Sequence, residues 1–71
     1  MDNNQRAAHA RDALDYFAKQ SGDEWADDME RLTDLLANLM HFCKQNAESE
    51  DCPMDFERAL QSARLHFEAE Q

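Results

Sequence analysis

The 71 residues contain no valine, no isoleucine and a single threonine, Thr33. Sheets draw heavily on β-branched residues, so a chain almost without them is expected to be all-α. What remains is alanine, leucine, methionine, phenylalanine and charge, which are good helix formers or neutral ones.

Two breaks divide the helical pattern. Ser21-Gly22-Asp23 holds the one glycine, suited to a left-handed helix C-terminus, with Asp23 a candidate cap for the next helix. The run from Ala47 to Met54 carries three acids and the one proline, Pro53, which turns Cys52 away from helix. Three helices are therefore expected, over about residues 4–20, 24–46 and 55–70, with an acidic loop at 47–54. Asp2, Asn3 and Asn4 offer caps for the first helix and Asp55 for the third.

Apolar spacing predicts which faces are covered. The first helix presents Ala7, Ala10, Leu14, Phe17 and Ala18 at spacings of three and four. The second, expected to be long and central, presents Trp25, Met29, Leu32, Leu36, Leu39 and Cys43, widened by Leu35, Met40 and Phe42 to an arc of about 160°. An arc that wide must touch two neighbours, or one neighbour and another molecule. Asp27, Glu30, Arg31, Asp34, Asn38, His41 and Gln45 form the opposite, solvated face. The third helix faces inward with Phe56, Ala59, Leu60, Ala63 and Phe67, and Leu65 lies opposite.

A single domain of this size buries only about 60% of its unfolded surface, and many of its apolar residues are alanines. The expectation is a three-helix bundle that dimerises to gain burial. Leu65, exposed on the third helix, supports that association.

The formal charge of −9 disfavours direct binding to nucleic acid or to an anionic membrane surface. It suits solubility, a basic protein partner, or imitation of a polyanion. No stretch reaches the length of a membrane span, and no apolar region follows Met-Asp-Asn-Asn-Gln-Arg to make a signal peptide. A cytoplasmic location is expected, with Cys43 and Cys52 as reduced thiols.

Few residues offer chemistry. Asp28 sits near the middle of the apolar arc, where a buried carboxylate would be a functional candidate, but the first turn of a helix is also where acids favour the dipole. His41 projects from the polar face as a partner contact or a solvated residue, and His66 can pair with Glu70 four residues on. The thiols and histidines lack metal-ligand spacing, and no nucleophile has a nearby base. Neither a metal nor another cofactor is expected. Glu24-Trp-Ala-Asp27, with Asp34 on the same side, loosely fits the first half of the Mg²⁺-binding pattern of all-α nucleotide pyrophosphatases, and no second paired motif follows.

Asp34-Leu-Leu-Ala-Asn-Leu-Met-His-Phe-Cys43, Met54-Asp-Phe-Glu-Arg-Ala-Leu60 and Ala63-Arg-Leu-His-Phe-Glu-Ala-Glu70 together cover about half the chain. This pattern resembles small helical proteins of unknown function carried on bacterial plasmids, prophages and integrative elements. The loop from Ala47 to Pro53 is longer than the short glycine turn of that pattern. The resemblance implies a bacterial, mobile-element origin and supplies no catalytic residue.

The functional expectation is a non-enzymatic protein–protein interaction module, with Trp25, Asp27, Asp28, Asp34, His41, Leu65 and His66 as candidate contacts. The alternative is a nucleic-acid mimic, using Asp27, Glu30 and Asp34 with the acids of residues 48–51. A Mg²⁺-dependent nucleotide pyrophosphatase is the third reading.

Overall fold

The computed structural model describes all 71 residues. It contains three α-helices and no strand: α1 (Asn3–Ser21), α2 (Asp28–Gln45) and α3 (Phe56–Ala69). The all-α class follows the residue chemistry as expected.

Helix α1 opens with a reciprocal capping box. The Asp2 carboxylate accepts from the Gln5 backbone N–H at 2.8 Å, and the Gln5 side chain accepts from the Asp2 N–H at 3.0 Å. It closes at Gly22, whose φ of 80° is left-handed, with the Gly22 and Asp23 N–H groups both directed to the Ala18 carbonyl. A Cβ on Gly22 would meet nothing within 4 Å, so backbone conformation alone calls for glycine there.

Helix α2 begins four residues later than the sequence pattern suggests, and its 18 residues are one fewer than those of α1. Asp23 does not cap it; Asp27 does, accepting from the Glu30 N–H at 2.8 Å. Residues 23–26 instead form a turn, with the Ala26 N–H bonded to the Asp23 carbonyl at 3.1 Å. Trp25 is thereby removed from the apolar stripe of α2 and stands 98% exposed.

At the other end of α2 the Asn46 side chain donates to the Phe42 carbonyl at 2.9 Å, and the Met54 N–H returns to the Asn46 carbonyl at 3.1 Å. The second of these bonds ties the ends of the acidic loop together. Asp55 then caps α3 as expected, accepting from the Arg58 N–H at 3.1 Å.

The chain divides into two compact units, Met1–Leu36 and Ala37–Gln71, with the boundary inside α2. In the first, Ala18 is buried, and Leu14, Phe17, Ala26, Arg31 and Leu35 are half-buried. In the second, Cys43 is buried, with Met54 and Phe56 half-buried. Ala7 and Ala10, expected to face inward, are exposed, because methyl groups bring too little area to hold a neighbour against them. Ala59, Leu60, Ala63 and Phe67 of α3 are likewise exposed.

Candidate functional site

The unit Met1–Leu36 is organised around two arginines. Arg31, expected on the solvated face, has its side chain only 16% exposed. Its guanidinium donates to the Asp15 carboxylate at 3.2 Å and to the Glu24 carbonyl at 2.6 Å. The late start of α2 explains the difference: with residues 23–26 in a turn, the Glu24 carbonyl is free to accept a side chain. The third donor, Arg31 Nε, is buried with no partner, a cost of about 1–3 kcal/mol set against the latch. Arg11 bridges from α1 to Asp28 at 2.9 Å and lies 4.0 Å from Asp15.

Asp28 is therefore an exposed, paired residue of the first helical turn and not a buried acid. The hydrogen bond from Arg11 holds its carboxyl below the usual aspartate range, against some desolvation. Nearby, four acids crowd together. A hydrogen bond to Asp23, reinforced by desolvation and repulsion, raises the Asp34 carboxyl above its ordinary range. Repulsion from Asp27 does the same to Glu30, with further contributions from Asp34 and Asp23. The structure thus brings Asp27 and Asp34 into one acidic patch, with Asp23 added. No group of three or more His, Cys, Asp or Glu residues is placed to hold a metal ion.

The unit Ala37–Gln71 offers an apolar groove of about 830 Å³, formed by the last turns of α2, the end of the loop and the first turn of α3. Met40, Cys43, Ala47, Pro53, Met54 and Phe56 supply its apolar lining. His41, Lys44 and Arg58 also line it, together with Asp55 and Glu57, and Lys44 and Arg58 form no ion pair. Of the sequence candidates only His41 reaches this groove. Leu65 is 62% exposed beside a smaller hollow with Leu60, Gln61 and Arg64, and His66 is exposed in the last turn of α3. The sequence signal that could have found the groove was Pro53-Met54 immediately before the cap, which returns two apolar residues toward the end of α2.

Exposed apolar surface is the dominant property of the molecule. Met29, Leu32, Leu36, Leu39 and Met40 are all exposed, and their spacing puts them on one side of α2.

No helix is long and apolar enough to cross a membrane. No protein-family model, curated protein or solved structure matches the chain.

Proposed function

We propose that this chain is a non-enzymatic protein–protein interaction module that works as a homodimer, its helices completing a bundle-like core only on association. The observation that carries this reading is the exposed apolar surface. The exposed stripe Met29, Leu32, Leu36, Leu39 and Met40 is the surface a second copy would cover.

Sedimentation equilibrium tests it. The wild-type chain is expected to be dimeric at micromolar concentration, and Leu36→Glu combined with Leu39→Glu is expected to be monomeric with its helicity retained. A wild-type chain that stays monomeric into the high micromolar range defeats the reading.

A second reading has one specific observation in its favour. The crowded carboxylates of Asp23, Asp27, Glu30 and Asp34 form a concentrated anionic patch of the kind a nucleic-acid mimic presents to a basic protein. In capture from a host lysate, that function predicts a nucleic-acid-binding protein that is released by salt. It also predicts loss of the catch on Asp23→Asn, Glu30→Gln and Asp34→Asn combined. Capture unchanged by those substitutions removes it.

A further inference from the structure

The exposed tryptophan of the first unit and the open groove of the second are chemically matched. Trp25 stands at the tip of the 23–26 turn, 98% exposed, in a segment carrying Asp23, Glu24, Asp27 and Asp28. The groove of Ala37–Gln71 is open, has two methionines and a phenylalanine along its lining, and carries two unpaired cations. We infer that Trp25 of one copy seats in the groove bounded by Met40, Cys43, Met54 and Phe56 of a second copy, with Lys44 and Arg58 of the groove facing Glu24 beside the tryptophan. This inference rests on the dimer reading and adds a second contact to the α2 stripe, which meets the groove at Met40.

Three features select this occupant. First, size: about 830 Å³ lies within the range of cavities that enclose drug-sized ligands, ample for an indole and the backbone that carries it. Second, surface chemistry: thioethers make favourable contacts with aromatic rings and adapt to their shape, and Met40 and Met54 present two of them. A lysine or arginine at the rim can also lie against the indole face. Third, charge: elsewhere Arg11 and Arg31 are engaged with acids of their own unit, while Lys44 and Arg58 remain available beside the groove. Asp55 and Glu57 oppose that attraction, Asp55 from the α3 cap, so the charge contribution is a modest one beside that of the apolar lining. A central aromatic anchor in an apolar pocket, with charged groups around it, is the common anatomy of an interface hot spot.

The chain has one tryptophan, so its fluorescence reports this contact directly. Emission and acrylamide quenching are measured across a dilution series whose oligomeric state is followed by sedimentation. On dimerisation the emission is expected to move to the blue and quenching to fall. Trp25→Ala is expected to weaken dimerisation at least about thirtyfold, as for a hot-spot residue. Lys44→Glu with Arg58→Glu leaves the apolar lining intact and is expected to weaken it about tenfold at low salt and less at high salt. If these two charge substitutions leave both the dissociation constant and the emission unchanged, the rim has no such role and the inference falls. A dimer whose tryptophan stays fully quenchable overturns the seating while leaving the dimer reading intact. A chain that never dimerises removes both, and a blue shift that appears without dimerisation also overturns the contact between copies.

Discussion

The two units solve the shortage of core in opposite ways. Met1–Leu36 uses directional bonds: a reciprocal capping box, a left-handed closure at Gly22, and two arginines that join α1 to α2 and its preceding turn. Ala37–Gln71 closes its loop with backbone and Asn46 bonds, buries the Cys43 thiol, and leaves its methionines and two cations facing an open groove. Directional bonds fix geometry but add little net stability each, since the polar groups exchange one set of partners for another. Apolar burial stabilises more per group but is incomplete when its surface is left open. The first unit is therefore specified largely by its own polar groups, whereas the second makes fewer directional bonds and lines an open groove; both leave large apolar side chains exposed.

The strongest way to break this contrast is at Cys43, 7% exposed in the second unit. Cys43→Asp places a carboxyl where only a weak polar group fits, with an expected loss of at least about 3 kcal/mol. Amide hydrogen exchange should show faster exchange concentrated in residues 37–71 and a smaller change in the first unit. Equal acceleration in both units would mean that they unfold as one. Arg31→Ala probes the other side. Losing the bonds to Asp15 and the Glu24 carbonyl, together with the packed aliphatic stem, should cost about 1–2 kcal/mol, moderated by removal of the orphaned Nε donor. Its effect on exchange is expected in residues 1–36.

Gly22→Ala sits next in size. The residue has open space around it and a φ of 80°, so the cost is conformational, about 1 kcal/mol in thermal or urea unfolding. A neutral result would show that the α1 terminus rearranges without loss.

These residues also mark how far the sequence could be read. The absence of β-branched residues made the helical class legible, and Asp2, Gly22 and Asp55 made most helix ends legible, because capping depends on residues adjacent in the chain. The start of α2 was misread because Asp23 and Asp27 are both competent caps, and residue type alone does not choose between them. That error carried Trp25 from the end of a buried stripe to an exposed turn. Arg31 was placed on the wet side because its partner Asp15 lies 16 residues away, beyond any helical spacing. Periodicity marked the apolar face of α2 but could not reveal that most of it stays uncovered in one chain, because burial depends on what the neighbouring helices reach.

The smallest expected effects sharpen the comparison within the acid-rich first unit, where two aspartates of α2 should respond oppositely. The hydrogen bond from Arg11 lowers the Asp28 pKa from the ordinary 3.8, so this group's contribution is present above 3.8 and is lost as pH falls through the lowered value. Asp34 is raised from the same 3.8 by its hydrogen bond to Asp23, desolvation and repulsion, so its relative contribution is present below 3.8 and is lost as pH rises through the raised value. Both side chains are solvent-exposed, which keeps each effect to a few degrees of Tm. At neutral pH Asp28→Asn should melt below wild type and Asp34→Asn above it. On acidification the Asp34→Asn curve should rejoin wild type near 3.8, whereas the Asp28→Asn deficit should persist until the pH falls below the depressed Asp28 value. High salt should shrink both differences at neutral pH, because it screens the ion pair and the repulsion alike. If both variants shift in the same direction at neutral pH, the opposition between the Arg11 pair and the Asp23–Asp34 crowding is wrong.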